Sequence, residues 1–133
     1  MENVLKETQP ALSTGTVIVV DDDDLVRMLT AEALDEIGFH AMQFGTADEA
    51  LMHIMRFPTT VKLVITDWNM SGQLDGSELA QMLHERYPAM PIVLTTGRAL
   101  EMHAHPGITL LPKPWTLDQL RTLVVMLVAM SAG

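Results

Sequence analysis

The chain has 133 residues, of which 48% are hydrophobic and 19% charged, which suffices for one folded domain with a single core and argues against disorder. The absence of cysteine excludes disulfides, thiolate zinc sites and a cysteine nucleophile, and the net charge of -9 disfavours nucleic acid, because an acidic surface repels phosphate backbones. With neither an apolar run of ~20 residues nor a signal peptide, the expected protein is cytoplasmic and makes no membrane contact.

The first residues are polar and mixed, with Pro10 and Gly15 as breakers of regular structure. We therefore predict a flexible N-terminal leader over residues 1–15 and one folded domain over residues 16–130. The domain begins with the run Thr16-Val17-Ile18-Val19-Val20, which is apolar, β-branched and free of polar alternation. Such a run is typical of a strand that is buried on both faces, as in a parallel sheet.

Strands and helices alternate along the rest of the chain. Further strands are predicted at 39–44, 61–66, 92–95 and 108–111, and helices at 25–37, 46–56, 77–87 and 116–130. The first helix is predicted from Val26, Leu29, Ala33 and Ile37, which recur at helical spacing, and Gly38 is its expected end. Thr46 and Thr116 open capping-box patterns at two of the helices. The alternation predicts an α/β fold, a single doubly wound domain with a five-stranded parallel sheet and flanking helices.

Polar residues stand where the predicted strands end. Asp21 and Asp22 follow the first strand, Asp67 the third, Thr96 the fourth and Lys113 the fifth. In an open parallel sheet the carboxyl ends of the strands form the functional edge, so these side chains are expected to meet there. Crowded carboxylates repel one another unless a cation compensates, and with oxygen ligands and no cysteine the expected cation is Mg²⁺. Mg²⁺ beside a carboxylate suits phosphoryl transfer, and a carboxylate oxygen can itself attack phosphorus.

Four segments carry a resemblance to a known family: Val19-Val20-Asp21-Asp22, Thr66-Asp67-Trp68-Asn69-Met70, Leu94-Thr95-Thr96-Gly97 and Pro112-Lys113-Pro114-Trp115. Their order resembles the signature of the receiver domain of two-component response regulators, over about residues 16 to 130. The resemblance implies a flavodoxin-like sheet of the kind found in the chemotaxis response regulator. It also implies a phosphoacceptor signalling module rather than an enzyme with a separate substrate.

The resemblance assigns roles to the residues at the strand ends. Asp67 matches the aspartate that receives phosphoryl from a histidine kinase. Asp21 and Asp22 match the acid pair that holds Mg²⁺, with Asp22 expected in direct contact, and Asn69 adds its backbone carbonyl to the metal. Lys113 matches the lysine that pairs with the phosphoryl group, and its bond to the following proline is often cis in the family.

Two further positions follow from the same resemblance. Thr96 matches the hydroxyl that moves toward the phosphoryl group on activation. Asn69 and Arg98 occupy the positions that, in the family, tune how fast the phosphoryl group is lost to water. The implied partners are a sensor histidine kinase or a phosphotransfer protein, and the apolar last helix, with the last strand, is a predicted surface for a second copy or an output protein.

The chain departs from the family pattern at three places. The segment from Thr96 to Lys113 is shorter than usual, so the fourth helix of the family is expected to be shortened or absent. Leu110 stands where a switching aromatic is common, three residues before the lysine. The loop at 70–76 is one residue longer than the common form, and local geometry of its own is expected there.

Other interpretations remain at this level. Asp21-Asp22-Asp23 also fits the start of a Mg²⁺-dependent phosphatase of the haloacid dehalogenase type, although Leu25 replaces the expected Thr or Val and a late acid pair is missing. A receiver fold retained for docking without phosphorylation is a third interpretation. Asp23 and Asp24 are expected to act as helix N-terminal acids. The initial Met and the leader favour a standalone protein over the end of a hybrid kinase.

Overall fold

Strands and helices alternate through the computed structural model, which describes residues 15–70, 72–97 and 107–132. The strands are β1 (Thr16–Val20), β2 (His40–Phe44), β3 (Val61–Asp67), β4 (Ile92–Thr96) and β5 (Ile108–Pro112). The helices are α1 (Asp24–Ile37), α2 (Ala47–Arg56), α3 (Gly76–Arg86) and α4 (Leu117–Ala132), and a short 3₁₀ turn spans Pro58–Thr60. These elements confirm the alternation that the sequence predicts, with bounds that differ by one or two residues.

The five strands form one parallel sheet in the order β2-β1-β3-β4-β5. Residues at the carboxyl ends lie side by side: Val20 pairs with Phe44 and Thr66, and Asp67 pairs with Thr95. The order is that of a doubly wound, flavodoxin-like sheet, which confirms the predicted fold class.

Alternate residues of each strand enter one of two apolar clusters, one on each face of the sheet. Ile18, Val64 and Leu94 pack with the inner residues of α2 and α3. Val19, Ile65 and Val93 pack with those of α1 and α4. Because successive side chains of a strand point to opposite faces, a strand that is covered on both faces needs apolar residues at successive positions. This is why the central strands show no polar alternation.

The buried residues of α1 are not those that the apolar spacing singles out. Thr30, Ala31 and Leu34 are the buried residues, whereas Leu29, which recurs at that spacing, is 52% exposed. Apolar residues surround more than half of this helix, so spacing alone permits several inward faces. The neighbouring sheet decides between them, because only one face can lie against β1 and β2.

Hydrogen bonds cap the helices where the sequence predicts them. The hydroxyl of Thr116 accepts from the Gln119 backbone at 3.1 Å, and the Gln119 side chain accepts from the Thr116 backbone at 2.8 Å. The hydroxyl of Thr46 accepts from the Glu49 backbone at 3.2 Å, but the Glu49 carboxylate accepts from that hydroxyl rather than from the backbone. These bonds satisfy N–H groups that a helix leaves unpaired in its first turn.

Two predictions about the fold concern residues outside the described ranges. The expected shortening or loss of the family's fourth helix concerns residues 98–106, and the predicted leader lies in residues 1–14 apart from Gly15. Within the described part of the chain, no helix has both the length and the apolar character that crossing a bilayer requires.

Candidate functional site

The carboxyl ends of β1, β3, β4 and β5 bring the predicted polar residues to one edge of the sheet. Asp21 follows β1, Asp67 is the last residue of β3, Thr96 is the last of β4 and Lys113 follows β5. The chain winds outward in opposite directions from β1 and β3, and a sheet of this kind has its crevice where the winding reverses. The edge is therefore both polar and concave.

Three carboxylates form a cluster in this crevice. One oxygen from each of Asp21, Asp22 and Asp67 lies within 4.8 Å of the others. Asp21 is buried at 5% exposure, Asp67 is half-buried and Asp22 is exposed. This set consists entirely of oxygen donors and has one solvent-facing member, which fits a hard cation that keeps part of its water shell. The donor set therefore suits a hard divalent cation such as Mg²⁺.

Lys113 supplies the positive charge beside these acids. Its Nζ lies 3.2 Å from Asp67 Oδ1 and 3.5 Å from Asp21 Oδ2. Its backbone N–H donates to the carbonyl of Thr96 at 2.8 Å, so the loop after β5 is tied to the end of β4. The bond between Lys113 and Pro114 is cis, as the family resemblance implies. The ammonium group thus bridges two of the three acids.

Burial raises the pKa of the Asp67 carboxyl above its ordinary value. Lys113 opposes this effect by its positive charge and its hydrogen bond, whereas the negative charge of Asp21 adds to it. Desolvation and the neighbouring acid therefore outweigh one ammonium group. A second cation at the site would favour the ionised carboxylate, which is the form able to act as a nucleophile.

The loop that carries the acid pair is built from its own side chains. Asp21 Oδ1 accepts from the Asp23 backbone at 2.9 Å. Asp23 is the N-cap of α1, and its Oδ1 accepts from the N–H groups of Leu25 and Val26 at 3.0 and 3.1 Å. Asp23 therefore serves the helix, as expected. Asp24, in the first turn, forms an ion pair with Arg27 at 2.7 Å.

Several residues that shape the site were missed by the sequence interpretation. Arg27 Nη1 donates to the Asp21 carbonyl at 2.8 Å. Thr95 lines the small cavity beside Asp21, Asp67 and Lys113. The position of Thr95 near the carboxyl end of β4 could have indicated that it lies at the site. The pattern of apolar and polar residues gives no such indication for Arg27, whose side chain extends back toward the start of its helix.

The loop after β3 is fixed by contacts that the sequence interpretation also missed. Asp75 and Glu78 form a full capping box at α3, with bonds of 2.8 and 3.1 Å. The backbone N–H of Leu74 donates to Asp48 Oδ1 of α2 at 3.1 Å. The spacing Asp-x-x-Glu signalled the capping box, but nothing local indicated the bond across to Asp48. The lengthened loop is therefore anchored at its C-terminal end.

The remaining predicted site residues are placed as follows. Thr96 is the last residue of β4 and is buried, with 2% of its surface exposed. The residue before it, Thr95, pairs with Asp67 across the sheet. Asn69 is exposed and lies two residues after Asp67. Arg98 lies outside the described residues.

Comparison with protein families matches residues 17–125 to the response regulator receiver domain. The chain belongs to this family. It is therefore a receiver domain of two-component response regulators, which is a signalling module. The match covers the described strands apart from Thr16 at the start of β1, and it ends within α4.

Individual relatives agree with this assignment. The receiver domain is 28% identical over 121 residues to an NtrX-like response regulator of Rickettsia conorii, a match of 85% of this chain and 25% of that protein. It is 28% identical over 128 residues to the sensor kinase CckA of Brucella abortus, which covers 92% of this chain and 13% of that protein. The chain thus spans a quarter or less of the length of these curated relatives.

A solved structure shares both fold and sequence with the receiver domain. The response regulator TrrA of Thermotoga maritima, in complex with Mg²⁺–BeF, superposes with a TM-score of 0.77 at 26% identity. The superposition covers 85% of this chain and 98% of that one.

The alternative of a haloacid dehalogenase-type phosphatase is not supported. That interpretation required Asp21 and Asp23 to act together, but the carboxylate cluster comprises Asp21, Asp22 and Asp67. Asp23 is turned to the helix instead, because its side chain accepts the two N–H bonds of the cap. The family match agrees with this outcome.

Proposed function

We propose that Asp67 is the phosphoacceptor of this receiver domain. The observation that carries the proposal is the position of its carboxylate, half-buried at the end of β3, with Lys113 Nζ at 3.2 Å and two further acids nearby. An Asp67 oxygen attacks the phosphorus of a phosphohistidine, the phosphorus–nitrogen bond breaks, and the histidine nitrogen takes up a proton. The product is an acyl phosphate on Asp67.

In this proposal Mg²⁺ is held by Asp21, Asp22 and Asp67, with the backbone carbonyl of Asn69, and it would neutralise charge on the phosphoryl oxygens. The support is the all-oxygen cluster of carboxylates. Lys113 keeps its place beside Asp67 and binds a phosphoryl oxygen. Its ion pair with Asp21 also holds the ammonium group in position before the phosphoryl group arrives.

The remaining roles concern what happens after transfer. The Thr96 hydroxyl donates a hydrogen bond to the bound phosphoryl group. Asn69 and Arg98 set how fast the phosphoryl group is lost to water. Transfer to Asp67 and this loss to water are the only reactions proposed, with no separate substrate turned over. The phosphate charge then biases the surface that partners recognise. We propose residues 16–130 as the receiver domain, after a leader at 1–15.

Labelling of the full chain by acetyl phosphate tests the assignment of Asp67. Intact-protein mass spectrometry should show Mg²⁺-dependent addition of one phosphoryl group to the wild type and none to Asp67→Asn. Asp35→Asn is the matched control, because Asp35 is an exposed acid near the C-terminal end of α1. Mg²⁺-dependent labelling of Asp67→Asn at the wild-type rate would refute the proposal.

The proposed partners are a histidine kinase or phosphotransfer protein that supplies the phosphoryl group, and a second copy or an output protein that reads it. Support for the second contact is the exposed apolar surface of α4, where Val125, Met126 and Met130 are 37%, 48% and 70% exposed. Sedimentation of the wild type and of Met126→Gln, with and without beryllofluoride, tests self-association. A beryllofluoride-dependent dimer that the substitution weakens is the expected result for a second copy, and an unchanged monomer favours an output protein.

A further inference from the structure

Arg27 reaches from the first turns of α1 back to the loop that carries the acid pair. Its Nη1 donates to the backbone carbonyl of Asp21 at 2.8 Å, and its Nη2 donates to Asp24 Oδ1 at 2.7 Å. The Arg27 side chain is only 17% exposed, although Asp24 is 91% exposed. A surface ion pair alone does not require such burial. The hydrogen bond to the Asp21 carbonyl is therefore the contact that best accounts for the position of the Arg27 side chain.

The bonded carbonyl belongs to the peptide that joins the two acids. The backbone N–H of Asp21 donates to the carbonyl of Phe44, at the end of β2, at 3.2 Å. This bond fixes the N-terminal side of Asp21. The Asp21 carbonyl lies beyond Val20, the last paired residue of β1, and Arg27 fixes this C-terminal side of Asp21 through its hydrogen bond. Since a peptide unit is planar, fixing this carbonyl also fixes the direction in which the chain enters Asp22.

The guanidinium group also lies near the start of α2. A Cβ built on Gly45, between β2 and α2, would lie 3.5 Å from Nη1, so the guanidinium group lies close to that junction. Planar donors in a fixed fork lose little freedom when they bind two acceptors at once. Arg27 thus connects α1 to the loop that carries Asp21 and Asp22, close to the end of β2.

We propose that Arg27 is a positioning residue of the metal site, which holds the Asp21–Asp22 peptide so that both carboxylates face the cation. This inference rests on the proposed function, because it takes the two acids as metal ligands. Arg27 does not touch the cation. It acts through the backbone of Asp21, as groups behind metal ligands commonly do.

Two effects of Arg27 on metal affinity have opposite signs. As a cation near three carboxylates, Arg27 repels Mg²⁺, so its removal would tighten binding if charge alone mattered. As a positioning residue, it pre-orders the loop, so its removal weakens binding. The sign of the change in affinity therefore distinguishes positioning from simple electrostatics.

Mg²⁺ titration of the full chain measures that sign. Both tryptophans can report on it, because Trp68 follows Asp67 and Trp115 lines the same cavity as Asp21 and Lys113. We expect Arg27→Ala to raise the Mg²⁺ dissociation constant about tenfold, as loss of a group behind a metal ligand commonly does. Arg27→Lys keeps the charge but not the fork, and we expect an increase of about threefold.

Arg121→Ala is the matched control. Arg121 forms the same i,i+3 ion pair in α4, with Asp118 at 3.7 Å, and its side chain is 50% exposed. Its loss removes one positive charge and one ion pair and leaves the acid loop intact, so the Mg²⁺ affinity should stay at the wild-type value. At high salt, where charge effects are screened, the weakening in Arg27→Ala should persist.

Each outcome decides the proposal. Unchanged or tighter Mg²⁺ binding by folded Arg27→Ala would overturn it, with folding checked by urea titration. If Arg27→Ala does not fold, Arg27→Lys decides, and wild-type affinity in that variant overturns the positioning role. A wild type that neither binds Mg²⁺ nor accepts phosphoryl would instead overturn the proposed function, and this inference with it.

Discussion

Replacement of Gly76 by alanine tests how closely α3 is packed against the strand that carries Asp67. A Cβ at residue 76 would lie 2.7 Å from the carbonyl carbon of Asp67 and 3.0 Å from Thr66 Oγ1, and it would overlap the Asp67 carbonyl oxygen. These are atoms of a central strand, and the adjacent Trp68 N–H is bonded to Thr95 of β4 at 2.7 Å. The two Asp67 atoms belong to the backbone of this strand and cannot turn aside as a flexible side chain could.

The expected magnitude follows from this geometry. To restore ordinary contact the Asp67 backbone or the start of α3 must move, and forcing a group into a packed interior costs about 1–3 kcal/mol, occasionally more. We expect the upper end, a loss of about 3 kcal/mol in the free energy of unfolding, because the displaced atoms are backbone. Gly76 has no positive φ, so the whole cost is steric.

Gly38→Ala is the control, because it adds a Cβ that strains the backbone conformation but contacts no other atom. Gly38 ends α1 at φ +103°, and a Cβ there would meet nothing within 4 Å. An L-residue in this left-handed region costs about 1 kcal/mol. Gly38→Ala should therefore lose less stability than Gly76→Ala, and it should accept phosphoryl from acetyl phosphate at the wild-type rate.

Urea unfolding of the two variants and the wild type measures these losses in the free energy of unfolding. The slope of that free energy against urea concentration should be the same in all three proteins, which checks that the variants unfold as the wild type does. Labelling of the folded Gly76→Ala protein should be slower than wild type, because the substitution displaces the residue that carries the acceptor. The reasoning is refuted if Gly76→Ala stays within about 1 kcal/mol of wild type or loses no more than Gly38→Ala.

Two further predictions concern the acidic edge and its loop. Burial raises the pKa of Asp67, so the stability that this group contributes is present below its unfolded pKa and is lost as pH rises through the higher folded pKa. Without Mg²⁺, Asp67→Asn should therefore unfold at higher urea than wild type near neutral pH, and this difference should shrink toward about pH 3; an equal difference at both pH values would contradict the stated cause. Asp48→Ala removes the acceptor of the Leu74 N–H at 3.1 Å and should cost about 1 kcal/mol. Faster hydrogen exchange at the Leu74 amide is expected in Asp48→Ala but not in Asp48→Asn, which keeps an acceptor oxygen, and unchanged exchange in Asp48→Ala would argue against the tether.

The elements of this receiver domain are determined by local sequence. The run Thr16–Val20 is apolar throughout because both of its faces are covered, and that pattern is visible without any knowledge of the neighbours. Thr116 and Gln119 cap α4 through bonds that span three residues, so the start of the helix is predictable in the same way. Alternation of such elements was sufficient to predict the parallel sheet and its polar edge.

Contacts between distant residues are decided by the tertiary structure. The inward face of α1 is set by the sheet beneath it, which is why Leu34 is buried and Leu29 is exposed. The Asp48–Leu74 bond joins residues 26 positions apart, and neither residue signals the other locally. The sequence by itself determined which acids and which lysine would reach the edge of the sheet, since each one ends a strand. Only folding decided the distances between them, the burial that raises the pKa of Asp67, and the reach of Arg27 behind them, because these depend on atoms brought together from separate strands and helices.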